Sequence, residues 1–185
     1  MYSPVMNYCS HCGSAQLVLK IPEGDHLARQ ICEDCHTIHY ENPKIIAGCL
    51  PIRENKILLC KRAIEPRYGL WTLPAGFMEN NETIEQAAAR ETWEEAKANI
   101  GQVSLYVVIS LPHISQVYMM FRTQLCDLNY APGIESLEVQ LFSQDKIPWE
   151  KLAFPVIRKT LTHYFQDRVV NQFPVHVSEM IPPVA

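Results

Sequence analysis

The sequence predicts an α+β protein, in which a strand-rich sheet carries two helices and a small cysteine-bearing module comes first. Three observations lead to this fold class. Paired cysteines dominate the first 41 residues, apolar strand-like runs alternate with turn residues from Ile45 onward, and two later segments have a helical pattern. The chain has 185 residues, which is enough for one full domain and a small extra module.

Composition and charge argue against several functional classes. Hydrophobic residues make up 48% of the chain, and the formal net charge is −4. A net acidic protein is a poor candidate for unspecific binding to nucleic acid or anionic membrane. No apolar run approaches the roughly 20 residues that span a bilayer, and the start "MYSPVMNYCS" lacks a signal-peptide pattern. We therefore expect a cytoplasmic protein with reduced thiols.

The first module contains two pairs of cysteines, each pair separated by two residues, with nineteen residues between the pairs. The total of seven cysteines is odd, which argues against a disulfide framework. Two CxxC turns supply the closed tetrahedral set of thiolates that a structural zinc ion prefers, and iron is the main alternative. Residues 1–41 are therefore predicted to form a zinc ribbon, whose ligands are Cys9, Cys12, Cys32 and Cys35.

The charge of this ribbon bears on its partners. Residues 1–44 carry three basic and five acidic side chains, a net charge of −2. A phosphate-binding surface needs the opposite sign, so no nucleic-acid partner is expected. A module of this size folds poorly without metal, and we expect a structural or dimer-forming role.

The larger domain is predicted to span residues 44–167 and to begin after an Asn-Pro turn. Two apolar runs separated by "REN" predict a β-hairpin, and a short strand in "LWTLPAG" ends at Pro74 and Gly76. Three further segments are rich in β-branched and aromatic residues and are predicted strands: "VSLYVVISLP", "SQVYMMFRTQLC" and "SLEVQLFSQ".

Two segments predict helices. In residues 82–100, Thr83 followed by Gln86 forms a capping box, and Gly101 offers a stop. Residues 154–167 predict a closing amphipathic helix with a proline in its first turn. The remaining residues, 168–185, are expected to form a Pro-rich tail outside the domain.

The first helix carries three glutamates on one face. At roughly 100° per residue, Glu91, Glu94 and Glu95 share a face about 100° wide. Like charges at this spacing destabilise a helix by roughly 0.2–0.5 kcal/mol per pair. A divalent cation held by the carboxylates would remove that repulsion, and a solvated acidic face is the alternative. Trp93 and Ile100, on the opposite side, are expected to pack against the sheet.

The preceding loop strengthens the metal interpretation. Gly76, Glu82, the pair Arg90-Glu91 and the pair Glu94-Glu95 follow one another after five, seven and two residues. This pattern resembles the conserved box of the Nudix hydrolase family. The resemblance implies a Nudix fold, in which a mixed β-sheet is sandwiched between helices. It also implies Mg²⁺- or Mn²⁺-dependent hydrolysis of nucleoside diphosphates linked to another moiety.

The resemblance implies roles for particular residues. Arg90 would orient a box glutamate and Glu82 would pair with it, while the general base would be Glu94 or, from a later loop, Glu138. Nucleobase stacking calls for aromatic side chains, and phosphates call for arginines. The implied metal ligands are Glu91, Glu94, Glu95 and the Gly76 carbonyl, and the candidate substrate contacts are Arg62, Arg67, Phe77 and Tyr118, with Tyr68 and Trp71 also nearby.

Three positions depart from the family pattern, and none of them removes a ligand. They are Asn81, Thr92 and Lys97. Because Lys97 stands where the family usually has a glycine, the helix is expected to continue to about Asn99.

Further segments resemble a branch of Nudix enzymes with an N-terminal zinc ribbon: "ICEDCHTIHYENPK", "LLCKRAIEPRYGLWTLPAGFMEN" and "IPWEKLAFPVI". This group contains plant plastid enzymes that hydrolyse FAD and ADP-ribose. NADH pyrophosphatases are the nearest alternative, but their "SQPWPFP" signature is replaced here by "SQVYMMF". We therefore expect FAD or ADP-ribose as substrate, NADH second, and a homodimer from family habit. A catalytically silent scaffold that binds a partner or RNA is a further alternative.

Overall fold

The computed structural model describes residues 6–181, and the chain forms two compact units, Met1–Pro43 and Lys44–Ala185. The first unit contains a three-stranded antiparallel sheet of order β1-β2-β3. Its strands are β1 (Leu17–Lys20), β2 (Arg29–Cys32) and β3 (Ile38–His39).

The four cysteines meet at one end of this small unit. Cys9 Sγ lies 3.6 Å from Cys35 Sγ, and Cys12 Sγ lies 3.5 Å from Cys32 Sγ. Within residues 6–181 they are the set of metal-ligating side chains whose ligand atoms all lie within 4.8 Å of one another. This arrangement fits the predicted zinc ribbon.

The two cysteine turns close in the same way. The amide of Gly13 donates to the Cys9 carbonyl, and the amide of His36 donates to the Cys32 carbonyl, each at 2.9 Å. Both donors lie in the left-handed region, with φ of 78° and 58°. Glycine adopts this conformation freely, whereas His36 is held there by its turn.

The second unit is built on a mixed eight-stranded sheet whose main path runs β10-β5-β4-β9-β8-β11. The pairs β4–β9 and β8–β11 are parallel, and the others are antiparallel. Two short strands lie off this path, since β6 pairs with β5 and β7 with β4. The strands are β4 (Lys44–Arg53), β5 (Lys56–Arg62), β6 (Trp71–Thr72), β7 (Ala75–Phe77), β8 (Ser104–Leu111), β9 (Gln116–Gln124), β10 (Ser136–Ser143) and β11 (His176–Glu179).

Two helices cover the sheet, α1 (Ile84–Ala96) and α2 (Pro155–Val170). Successive residues of β4 point to opposite faces of the sheet. Ala47 and Cys49 pack with Ala87 and Ala88 of α1. The other face carries the larger core, which includes Leu50, Ile52, Ile157, Leu161 and Phe165. The predicted mixed sheet between helices is therefore confirmed. None of the helices that the structure describes is long and apolar enough to cross a membrane.

The beginning of α1 agrees with the sequence prediction, and its end does not. Thr83 and Gln86 form the predicted capping box. The helix ends at Ala96 because Lys97 adopts a left-handed conformation with φ 49°, and its amide donates to the Trp93 carbonyl. The prediction that the helix continues to about Asn99 is wrong. Lys97 itself takes the left-handed cap position that glycine usually fills.

The orientation of α1 also differs from the prediction. Trp93 is 50% exposed, with the Lys97 ammonium 5.6 Å from its ring centroid. The buried side of the helix consists of Ala87, Ala88, Thr92, Glu95 and Ala96. The small residues let the helix approach the sheet closely, and Glu95 is carried inward with them.

The C-terminal segment is part of the domain. Helix α2 ends at Val170, and β11 adds to the sheet in parallel with β8. The Tyr106 hydroxyl donates to Asp167 Oδ2 at 2.6 Å, and His176 Nε2 contacts the same oxygen at 2.7 Å. The prediction of a separate tail is therefore wrong for residues 168–181, and residues 182–185 lie outside the described part.

Candidate active site

The site begins where β7 leaves the sheet. Gly76 pairs with Ala47 of β4 and faces α1. A Cβ atom at Gly76 would overlap the carboxylate of Glu91, so this approach of a carboxylate to the backbone requires glycine. The structure thus brings together the first residue of the box and the first of its helical glutamates.

Arg90 connects the acidic residues of the box. Its guanidinium donates to both carboxylate oxygens of Glu82 at 2.8 and 3.1 Å, to Glu91 at 2.7 Å, to Glu94 at 3.0 Å and to the Phe77 carbonyl at 3.1 Å. The bond with Glu82 is bidentate, which fixes geometry as well as charge. This contact lowers the pKa of Glu82 and is the first cause of the raised pKa of Arg90.

Glu95 is the most buried of the three helical glutamates. It is only 5% exposed, and its Oε2 atom has no hydrogen-bond partner. Burial raises the pKa of Glu95 to about 8, and the charges of Glu91 and Glu135 add to this rise while Arg62 opposes it. Buried polar atoms without partners are uncommon in native proteins and call for an explanation.

Glu91 and Glu94 have different surroundings. Burial raises the pKa of Glu91 although Arg90 opposes the rise. The side chain of Glu94 is 54% exposed and forms an i,i+4 ion pair with Arg90. The three carboxylates thus range from buried to open on neighbouring turns of one helix.

The chemistry of these residues fits a divalent cation, although among the described residues their carboxylate oxygens do not all lie within 4.8 Å of one another as the cysteine sulfurs do. Mg²⁺ and Mn²⁺ prefer oxygen ligands, and a carboxylate oxygen that is buried without a partner is a ready ligand. The absence of a side chain at Gly76 lets the Glu91 carboxylate lie directly against the backbone of β7. In the described structure Arg90 donates hydrogen bonds to Glu91 and Glu94, while Glu95 Oε2 has no hydrogen-bond partner.

Of the predicted substrate residues, Arg62 acts on this cluster through its charge, and Tyr118 packs against the larger core. Burial raises the pKa of both Glu95 and Tyr118, and the positive charge of Arg62 opposes the rise in each. Arg62 Nε donates to the Pro66 carbonyl at 3.0 Å, and its guanidinium lies 5.1 Å from the ring centroid of Phe154. The arginine is therefore held between aromatic and carboxylate groups.

The other residues predicted to contact substrate are either exposed at the surface or buried in the core. Phe77 is half-exposed, with the Lys44 ammonium 5.4 Å from its ring centroid. Arg67 and Tyr68 are exposed in the loop between β5 and β6. Trp71 is buried in the core and packs edge-on against Phe142 at 4.8 Å. Phe77 is therefore available to a ligand, whereas Trp71 serves packing.

The later loop contributes a residue that sequence reasoning missed. Glu138 lies on β10 with its carboxylate 3.6 Å from Lys61 Nζ. The charge from this region that acts on both Glu91 and Glu95 is that of Glu135, three residues earlier. Glu138 as general base stays a prediction, and Glu135 is a second candidate for that role.

Backbone contacts hold Glu135 in place. The amides of Ala131 and Gly133 donate to the Ala96 and Glu95 carbonyls at 2.9 and 3.0 Å, and the Ala63 amide donates to the Glu135 carbonyl at 2.8 Å. A Cβ atom at Gly133 would overlap the backbone of α1. The Pro-Gly pair in this loop was the sequence signal for such a tight approach.

The chain is similar in sequence to known proteins. The family model described as NUDIX domain matches residues 42–163, and the model described as Nudix N-terminal matches residues 7–41. The NAD-capped RNA hydrolase NudC of Vibrio cholerae is 28% identical over 180 residues, 90% of this chain and 61% of that protein. The ADP-ribose pyrophosphatase of Methanocaldococcus jannaschii is 32% identical over 121 residues, 62% of this chain and 69% of that protein.

A solved structure extends the similarity to the fold. The crystal structure of a NUDIX hydrolase from Nitrosomonas europaea matches with a TM-score of 0.90 at 58% identity, and covers 95% of this chain and 99% of that one. The chain spans 51% to 62% of the length of several NudC relatives that it matches. With the box residues gathered around Arg90 and the family model matched over residues 42–163, the chain belongs to the Nudix family.

Proposed function

We propose that the protein hydrolyses the pyrophosphate bond of a nucleoside diphosphate linked to another moiety, with ADP-ribose or FAD as the first candidates. The observation that carries this proposal is the buried Glu95 carboxylate, whose Oε2 has no hydrogen-bond partner. On the same helix, the Glu91 carboxylate lies against Gly76. The relative from M. jannaschii, named an ADP-ribose pyrophosphatase, supports ADP-ribose. FAD rests on the sequence resemblance alone.

The proposed roles follow from position and charge. Glu91, Glu94 and Glu95, with the Gly76 carbonyl, would hold Mg²⁺ or Mn²⁺, which when bound neutralises phosphate charge and lowers the pKa of a water molecule. Arg90 keeps Glu82, Glu91 and Glu94 oriented through four hydrogen bonds to their carboxylates.

The remaining groups act on the substrate. Arg62, beside the carboxylates, supplies positive charge to a phosphate oxygen. Phe77 offers a half-exposed ring and Tyr118 a phenol near Arg62, both suited to a nucleobase or sugar. A carboxylate oxygen of Glu94, Glu138 or Glu135 accepts the proton of the attacking water.

A substrate panel tests this function. Purified protein with Mg²⁺ or Mn²⁺ is incubated with ADP-ribose, FAD and NADH, and products are separated by chromatography. We expect AMP together with ribose 5-phosphate from ADP-ribose, or with FMN from FAD. The matched controls are Glu95→Gln and Glu85→Gln, since Glu85 is exposed in the first turn of the same helix. If no substrate is cleaved with either metal, the silent-scaffold alternative replaces this proposal.

A second candidate substrate is NAD-capped RNA. The relatives named NAD-capped RNA hydrolase match this chain over as much as 90% of its length, including the ribbon region. The net charge of −2 in residues 1–44 counts against extended contact with an RNA chain. Comparison of NAD-capped RNA with free NADH decides between these substrates. A rate that rises with RNA length and falls steeply with salt would favour RNA.

The zinc of the ribbon is proposed to be structural, because four thiolates leave no open position for water. Cys32→Ser should lower folding yield or melting temperature. A variant that stays folded but inactive would give the ribbon a chemical role.

The homodimer and the cytoplasmic location stay predictions. Sedimentation that finds a single species of 21.2 kDa would exclude the homodimer.

A further inference from the structure

The segment after α2 is attached to the sheet by β11. This strand pairs in parallel with β8, from His176 opposite Val107 to Glu179 opposite Ser110. The Met180 amide extends the pairing by donating to the Ser110 carbonyl at 2.9 Å. Because β11 lies at the end of the sheet order, its removal would leave β8 as the edge strand.

One attachment of this segment is aromatic. The Arg122 guanidinium carbon lies 3.8 Å from the ring centroid of Phe173. The same ring stacks on Tyr164 at 5.9 Å and meets the edge of Tyr106 at 6.4 Å. None of these contacts depends on a group that titrates near neutral pH.

A second attachment is made by His176. Its Nε2 atom lies 2.7 Å from Asp167 Oδ2, which also accepts the Tyr106 hydroxyl at 2.6 Å. One face of the His176 ring is stacked on His163, with centroids 3.9 Å apart and an interplanar angle of 15°. Two histidine rings of α2 and β11 therefore lie against each other beside one carboxylate.

The charges around this pair come from three elements. Helix α2 contributes the charges of Asp167 and Lys159, β9 contributes that of Arg122, and β8 contributes the neutral hydroxyl of Tyr106. Asp167 can compensate one proton on His176. A second proton, on His163, would place two cations 3.9 Å apart. Burial lowers the pKa of His163, and the charges of His176 and Lys159 lower it further.

We propose that β11 is a pH-sensitive strap, which acid releases from β8 when His163 and His176 are both charged, while Phe173 keeps the preceding residues attached. The sign follows from linkage. A released strand lets His163 take up a proton more readily than the docked strand does, so release is favoured as pH falls below the ordinary histidine pKa. At most, the opening constant rises about tenfold per pH unit.

Hydrogen exchange of the full-length, zinc-loaded protein tests the strap. Exchange is measured in wild type and in His163→Phe, which keeps a flat ring against His176 but cannot be charged. The two proteins are compared at each pH, so the intrinsic pH dependence of exchange cancels. Between about pH 7.5 and pH 5.5 we expect the amides of β11 and Met180 to lose protection several-fold to tenfold more in wild type.

Controls separate release of the strap from general unfolding. His113→Gln changes an exposed histidine in the turn after β8 and should behave as wild type. His163→Gln provides a second uncharged variant. The amides of Asn171 and Gln172, which donate to the Arg168 and Asp167 carbonyls, should stay protected throughout. Equal acid sensitivity of wild type and both His163 variants would overturn the proposal, as would simultaneous loss of protection at these two amides and in β11.

Discussion

Two carboxylates in the same domain, the partly buried Asp167 and the buried Glu95, have opposite surroundings. Asp167 accepts hydrogen bonds from Tyr106 and His176, and although burial alone would raise its pKa, these partners hold the pKa below the ordinary value. Glu95 is more deeply buried, its Oε2 has no hydrogen-bond partner, and its pKa is raised to about 8. A carboxylate with partners stabilises a fold, whereas one without them costs stability unless another group arrives.

The comparison assigns different tasks to the two groups. Asp167 links α2, β8 and β11, which are far apart in the sequence. On the same helix, the carboxylates of Glu91 and Glu94 already accept hydrogen bonds from Arg90, whereas Glu95 does not. Asp167 is therefore expected to matter for stability and Glu95 for metal binding and catalysis.

The largest expected effect follows replacement of Glu95. Glu95→Gln removes a metal ligand, and metal-ion catalysis supplies several kcal/mol of transition-state stabilisation. Turnover should fall by about 10²–10⁴, as measured by AMP release with Mg²⁺. The melting temperature in magnesium-free buffer should hold or rise, because glutamine replaces a buried carboxyl group that must either stay protonated or carry an unpaired charge. Glu85→Gln, on the exposed side of the same helix, should change neither quantity.

Two results would contradict this assignment. Full activity in Glu95→Gln would mean that the glutamates are only a solvated face. Unfolding of the variant would mean that Glu95 belongs to a structural network like that of Asp167.

The Nudix box could be recognised in the sequence because its residues follow one another at fixed short spacings. The capping box of Thr83 and Gln86 is contained within one helical turn, and the cysteine pairs are equally local. The inward orientation of Glu95 was missed because the buried side of α1 is made of alanines, which carry little hydrophobic signal. The large apolar side chain of Trp93 lies outside instead, beneath Lys97.

Long-range contacts explain the other misses. Strand β11 has only four residues and depends on Asp167 and on Tyr106, which is 61 positions from that aspartate. Glu135 is placed by backbone bonds from its loop to the end of α1 and from the Ala63 amide. Neither relation leaves a periodic pattern in the sequence.

Replacement of Asp167 should lower stability and leave turnover unchanged, whereas replacement of Glu95 should do the reverse. Asp167→Asn weakens two hydrogen bonds to a charged acceptor, and bonds of this kind are worth roughly 1.5–3 kcal/mol each at most. Unfolding in urea should show a loss of about 1–3 kcal/mol. Turnover per folded molecule should stay close to that of the parent. Loss of turnover without loss of stability would remove the distinction between the two carboxylates.

A smaller effect concerns pH. The pKa of Glu95 rises from 4.5 to about 8 on folding. Between these two pH values, the folded protein therefore binds more protons than the unfolded chain does. Stability without magnesium should therefore fall as pH rises through this range, by at most about 1.4 kcal/mol per pH unit. Chemical unfolding of wild type and Glu95→Gln checks this, with magnesium omitted rather than chelated so that the ribbon keeps its metal. If the free energy of unfolding depends on pH equally in wild type and in Glu95→Gln, then Glu95 is not buried in its protonated form.

The most direct test of the central claim is the proton balance of metal binding. A ligand that is protonated before the metal arrives must release its proton on binding. Mn²⁺ is titrated into the zinc-loaded protein by calorimetry at about pH 7, in buffers of different ionisation enthalpy. We predict release of about one proton per bound ion in wild type, decreasing towards zero at about pH 9, with weaker binding and no such release in Glu95→Gln. Equal affinity and equal proton release in the two proteins would show that Glu95 does not hold the metal.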